Sequence, residues 1–296
     1  MIGRRRAALL LALLFPFKVL SDVTVSDDAG RHITLPAYPA RIVSLAPGAT
    51  EMLFAAGAGD KIIATVEFAN EPAAARKIPR VGDASAIDIE KLISLRPDIV
   101  VIWPGGGNPA QRAKVERLGL PTYHQQIDVF ADIPGSLRRL GVLTNMMPSS
   151  EQAAQQIERR LQQLEQSSRR TTPPLKVMLE VWNRPLYTVG GKQLMSDALR
   201  LCGAGNAFAD LTEMSPAVSI EGVLARNPDV IVAIAPPGDA AGWLEPWKRF
   251  TTLSAVKAGR LVAFEDQRLS RLGPSAVDGA EALCQKLAVA SVNTAK

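Results

Sequence analysis

Side chains able to do chemistry are few in this sequence, and their spacing argues against catalysis. The two histidines, His32 and His124, fall in the same half of the chain, and no H-x-x-x-H, C-x-x-C or D-x-D grouping offers a metal site. No G-x-S-x-G elbow and no suggestive Ser, His and Asp set supplies a nucleophile with its base. The turn in "SLAPGATEMLF" continues into neither G-x-x-x-x-G-K-[ST] nor G-x-G-x-x-G, so it is no phosphate loop. One pair of acids stands apart. "IDIEKLISLRPDIVVI" (87–102) and "VSIEGVLARNPDVIVAI" (218–234) align without gaps at an offset of 131 residues. Glu90 falls on Glu221, Ile89 on Ile220, Pro97 on Pro228, Asp98 on Asp229 and Val101 on Val232.

Each glutamate sits in the first turn of an expected helix, and two readings are open. An acid there stabilises the helix dipole by some tenths of a kcal/mol, ~0.3–1. Two such acids at equivalent points of two related lobes would also match a symmetric partner carrying two basic pockets.

The elements that hold these residues follow a β/α succession. "VTVSDDAGRHITLP" alternates and turns at Asp28-Ala29-Gly30, which predicts a hairpin. A strand at Ile42–Leu45, a helix over Thr50–Ala56 and stops at Gly57 and Gly59 come next. Asp88 is an N-cap for a helix over Ile89–Leu95, and "IVVIW" is apolar on both alternations, as a buried parallel strand requires. Residues 149–170 contain no Gly, Pro or aromatic residue, and Ala153, Ile157, Leu161 and Leu164 recur at helical spacing. That predicts one long helix, ended by "TTPP", before a second β/α succession opens at "LKVMLEVW". The fold class is α/β: two Rossmann-like lobes, 22–145 and 173–296, joined by a rigid helix within 146–172, with a ligand cleft between the lobes.

Aromatic residues make up only 5% of the chain, so their positions carry weight. Phe68 lies in a loop after a strand, Trp103 ends the strand of the first repeat, and Trp182 and Tyr187 flank "NRPLY". Loops beyond strand C-termini are where open α/β sheets bind ligands, and such a set suits a large, flat, partly apolar molecule, although core packing explains each residue singly as well. Trp243 and Trp247 in "GWLEPWKRF" read as helix packing or a lobe rim.

Residues 1–21, with Arg4, Arg5 and Arg6 before the apolar run Ala7–Leu14, read as a cleaved secretory signal. The run is shorter than the ~20 residues of a membrane span. The leader takes four of the 34 basic residues and no acid, which leaves 30 against 29 acidic ones and no basic surface for nucleic acid. Cys202 and Cys284 are an even pair in a chain bound for an oxidising compartment, which favours one disulfide over two buried thiols.

The stretches "RIVSLAPGATEMLFAAGAGDKIIA", "DIEKLISLRPDIVVIWPGG", "NRPLYTVGG", "LRLCGAGNAF" and "VSIEGVLARNPDVIVA" together resemble periplasmic cobalamin-binding proteins of ABC importers. These belong to the helical-backbone superfamily that also binds siderophores and haem, and the resemblance spans essentially the whole mature chain. It implies a periplasmic monomer that captures a corrinoid and hands it to a dimeric inner-membrane permease, with no enzymatic activity, resident cofactor or metal. It implies small lobe motion, docking of Glu90 and Glu221 on permease arginines, and a bond between Cys202 and Cys284. For the ligand it implies Phe68 against the corrin and polar contacts from "QRLSR", Gln267 to Arg271, with Arg271 the firmest match. Trp103, Trp182 and Tyr187 would add apolar wall. Two stacking tryptophans of a well-known cobalamin-binding member fall here on Ala84 and Ser215. The corrinoid brings its own lower base, so no protein histidine is needed. Rival cargoes are haem, which would want Tyr123 or His124 on its iron, and ferric siderophores, which would want several cleft arginines. A secreted metal-dependent hydrolase is the rival of another class.

Overall fold

A computed structural model of the protein describes residues 22–83, 85–168 and 174–292. The leader expected at 1–21 and Ala84 lie outside the described residues. In the first lobe the elements run β1 (Val23–Ser26), β2 (His32–Leu35), β3 (Ile42–Ser44), α1 (Pro47–Ala55), β4 (Ile62–Ala64), α2 (Ile89–Ser94), β5 (Ile99–Ile102), α3 (Pro109–Glu116), β6 (Thr122–His124) and α4 (Asp132–Thr144). The long helix α5 (Met147–Ser168) follows. The second lobe runs β7 (Lys176–Glu180), β8 (Trp182–Asn183), β9 (Leu186–Tyr187), α6 (Leu194–Leu201), β10 (Gly205–Asn206), α7 (Ile220–Arg226), β11 (Val230–Ile234), α8 (Ala240–Leu244), α9 (Ser254–Lys257), β12 (Leu261–Phe264) and α10 (Ser275–Val292).

Each lobe is built on one parallel four-stranded sheet, ordered β4-β3-β5-β6 in the first and β10-β7-β11-β12 in the second. The repeated stretches give α2–β5 and α7–β11, which take the same place in the two orders. Register agrees to the residue: Ile42 pairs with Ile99 and Val177 with Val230, the two partners on β5 and β11 lying 131 apart. The repeated Pro-Asp explains itself here. Asp98 accepts from the amides of Ala40 and Arg41, and Asp229 from that of Lys176, while their own amides donate to the carbonyls of Arg41 and Lys176. Each acid thus ties the start of its strand to the start of the central one. The cations repeat the device: Arg41 donates to Leu95 O, and Lys176 Nζ to Arg226 O. Arg96 and Asn227, one residue on, both turn at φ 46°.

β5 and β11 are buried along their whole length, because helices cover both faces of each sheet. One apolar core runs through both lobes, from Ile42 and Ile99 across α1, α4, α5, α6 and α10 to Val177 and Val230. Each lobe adds a smaller outer core of its own. On α5 the buried positions are Ser150, Ala154, Ile157 and Leu164, with Ala153 and Leu161 packed at their edge. The helix is tied to a helix of each lobe: Arg138 of α4 binds Glu151 and Glu158, and Arg160 binds Asp278 and Glu281 of α10. Among the described residues no helix is long and apolar enough to cross a membrane.

Two local outcomes differ from the sequence reading. Helix α1 starts at Pro47 rather than Thr50, since proline at the first turn lacks only an N–H that has no helical partner there. The predicted long helix over 149–170 begins two residues earlier, at Met147. The hairpin turns where expected, with Asp27 accepting from the amides of Ala29 and Arg31 and Gly30 at φ 78°.

Candidate functional site

The lobes meet along a seam at the N-terminus of α1. Gly48 packs on the chain at Leu272 so closely that a Cβ there would lie 2.7 Å from Leu272 O. Glu51, on the next turn of α1 and 4% exposed, accepts from the Arg271 guanidinium at 2.9 Å and from the Ser275 hydroxyl. Gln125, just past β6, donates through Nε2 to Leu272 O at 2.8 Å. On the far side Asp197 of α6 accepts from the Phe130 amide and holds Arg200, which reaches Glu165 on α5. Apart from Arg271, which the family resemblance gave as a ligand contact, sequence reading missed these seam residues; a lone Glu51 in the apolar run "ATEMLFAAG" was the one visible signal of the rest.

Above the seam an interlobe cavity of about 390 Å³ is lined by Phe68 and Trp103 from the first lobe and Gln267, Ser270 and Arg271 from the second. A recess of about 140 Å³ on the first-lobe side shares Phe68 and Trp103 as walls. Another of about 300 Å³ extends past Trp103 to Lys192 and Met214. Trp103 therefore borders all three. Its ring packs against the "GGG" loop, where a Cβ on Gly106 would fall 1.9 Å from a ring carbon. Phe68 is 73% exposed and held at φ 65°, a left-handed conformation that a bulky residue adopts only under constraint. The loop supplies that constraint: Glu67 N donates to Gly82 O and Asn70 N to Phe68 O. Gln267 donates to Ala235 O, fixing the loop that carries Arg271.

The other sequence-stretch candidates sit apart from that cavity. Trp182 is half-exposed and meets Trp243 edge-on at 5.8 Å, and it pairs across the β8–β9 ribbon with Tyr187, which bridges to Ala217. Neither lines any of the three cavities. Trp243 and Trp247 pack in the outer core of the second lobe. Tyr123 is fully buried and donates to Asp28, and burial together with that carboxylate pushes its phenol well above the ordinary range. His124 lies 3.3 Å from Glu116, and burial, with help from Arg31, holds its imidazole below the usual value. Among the described residues no group of three metal-ligating side chains converges.

Glu90 and Glu221 are exposed in the first turns of α2 and α7, whose N-caps Asp88 and Ser219 accept from Lys91 N and Gly222 N. Bonds from its own amide and from Ser219 hold the Glu221 carboxyl below its ordinary value. Cys202, at the end of α6, is bonded to Cys284 of α10, with Cα atoms 4.8 Å apart.

Two sheets sharing one core, a bridging helix and a cleft floored by a tight seam define a two-lobe α/β protein with a ligand cleft between its lobes. The chain belongs to the periplasmic binding protein family, whose model matches residues 42–266. It is 33% identical over 255 residues to the vitamin B12-binding protein of Vibrio cholerae serotype O1, covering 86% of this chain and 91% of that one. Against the vitamin B12-binding protein of Pectobacterium atrosepticum identity is 30%, over 85% and 90% of the two chains. The crystal structure of the periplasmic vitamin B12-binding protein of Vibrio cholerae superposes with a TM-score of 0.78 at 32% identity, covering 86% of this chain and 99% of that one. The periplasmic haem-binding protein BhuT, solved with two haems, shares the fold at a TM-score of 0.73 and 22% identity, over 84% and 98% of the chains.

Proposed function

We propose that this protein is a periplasmic carrier that takes up cobalamin or a related corrinoid between its lobes and delivers it to an ABC importer permease, without chemistry of its own. The observation that carries this reading is the composition of the interlobe cavity. Phe68 and Trp103 offer flat apolar surface on one side, and Gln267 and Arg271 offer polar contacts on the other. Curated relatives named for vitamin B12 binding, matched over most of their length, support the cargo. Haem fits less well. The residues lining the three cavities include no tyrosine, histidine or cysteine, and Met214 is the only haem-type donor there. Tyr123 is spent in the hairpin network and His124 stands beside Glu116 of α3, and neither lines the cavities.

Residues 1–21 act as the cleaved signal, the mature chain works as a monomer, and α5 within 146–172 separates the lobes 22–145 and 173–296. Glu90 and Glu221 dock on basic residues of the two permease subunits. Of the five identical pairs in the repeat, isoleucine, proline, aspartate and valine all pack or bond within their lobe, whereas among the described residues no hydrogen bond or ion pair engages the Glu90 side chain and Glu221 bonds only at its own helix start, to its amide and Ser219. Titration calorimetry of the mature chain with cyanocobalamin, and with haem for comparison, tests the cargo. One corrinoid per chain at about micromolar affinity or tighter, weakened by Phe68→Ala and Trp103→Ala, is the expected result. Heat with haem alone would move the cargo and leave the carrier architecture standing.

A further inference from the structure

Gln125 is 1% exposed, lines the interlobe cavity, and holds a carbonyl oxygen that has no hydrogen-bond donor among the described residues. Its orientation is fixed, because Nε2 donates to Leu272 O and a flipped amide would set oxygen against oxygen. A buried acceptor left without a donor is unfavourable, and a ligand N–H would recover that cost. Gln125 stands beside Trp103, since β5 and β6 pair Ile102 with His124, one residue before each. Arg271 faces the same cavity. One N–H of its guanidinium goes to Glu51, and no other side-chain bond engages it among the described residues. A buried acceptor and a spare donor on one cavity complement a group that both donates and accepts.

We infer that Gln125 reads a primary carboxamide on the rim of the cargo, accepting its N–H while Arg271 donates to its carbonyl. This rests on the corrinoid reading, for a corrinoid carries primary amides around its ring where haem carries carboxylates. A carboxylate at that point would bring oxygen against the Gln125 oxygen and forfeit the bond.

The test is calorimetry with cyanocobalamin and with its monocarboxylic acid derivatives, each having one peripheral amide hydrolysed. The wild-type protein is expected to bind the amide form about tenfold or more tightly than at least one of the acids, the equivalent of one hydrogen bond. Gln125→Met and Gln125→Glu both lose the bond to Leu272, so any fold or seam effect is common to them. Gln125→Met removes the acceptor and should erase the preference, whereas Gln125→Glu keeps an acceptor and should retain or widen it. Wild-type binding without discrimination, or identical selectivity in the two variants, overturns the role of Gln125 and leaves the cargo reading intact. No binding of cyanocobalamin by the wild type overturns both.

Discussion

The two halves of the repeat agree in their frame and diverge at their strand ends. Asp98 and Asp229 tie equivalent strands, Arg41 and Lys176 cap equivalent helices, and Arg96 and Asn227 turn at the same φ. Beyond the strands the likeness stops. Trp103, on the cleft wall, aligns with Ile234, which is buried at 6% exposure. By sheet register Ser44 and Leu179 are equivalent, so the next residues, Leu45 and Glu180, hold matching places, one apolar and one an acid. On the proposed docking, a surface that meets a symmetric partner is repeated, as the exposed glutamates are. A cleft wall that meets an asymmetric ligand cannot be repeated, because each lobe touches a different part of it.

The largest effect that bears on this comparison concerns the repeated acids. Glu90→Lys with Glu221→Lys should abolish corrinoid uptake in cells while leaving the calorimetric affinity unchanged. Full uptake by the double variant would show that the repeat preserves these acids for helix stability alone.

The cross-link separates the lobes next. Cys202 and Cys284 lie 82 residues apart within the second lobe, so Cys202→Ser with Cys284→Ser should cost about 4–5 kcal/mol on the chain-entropy scale. Hydrogen exchange should rise first in α6 and α10. A uniform rise in both lobes would mean that the shared core unfolds as one unit.

Glu180 gives the second lobe a pH dependence opposite in sign to that of His124 in the first. Burial raises its carboxyl to about 7, against the pull of the Trp247 indole N–H donated at 2.8 Å. At low pH both folded and unfolded forms are protonated and nothing is lost. As pH rises from the unfolded value, ~4.3, towards the folded one, only the unfolded chain gives up its proton, so stability falls, by at most about 3 kcal/mol. Glu180→Gln keeps an acceptor for Trp247 and should flatten that fall in thermal melts between those limits.

The smallest difference is between the strand ties. Asp98 accepts two backbone N–H bonds and Asp229 one. Asp98→Ala should therefore cost more in denaturant titration than Asp229→Ala, within a range of about 1–2 kcal/mol. Equal losses would mean that the amide-to-carbonyl bonds carry the strand pairing without them.

The frame was legible in the sequence because it is local and periodic. Buried strands read as unbroken apolar runs, α5 as a long stripe without glycine or proline, and Asp88 as a cap three residues before the Lys91 amide that it accepts from. The repeat announced a second lobe and the equivalence of Glu90 with Glu221. The pairing of Glu51 with Arg271, 220 residues apart, and of Gln125 with the Leu272 carbonyl has no local signature. Those contacts exist only where the lobes close on each other at Gly48. The same closure decides that Phe68, Trp103, Gln267 and Arg271 share one cavity while Trp182 and Tyr187 stand outside it. Side-chain type and spacing specify what a strand or helix is, since those depend on neighbours in the chain. Which loop ends face one another is set by how two finished lobes pack around a common core, and that is a property of the tertiary structure alone.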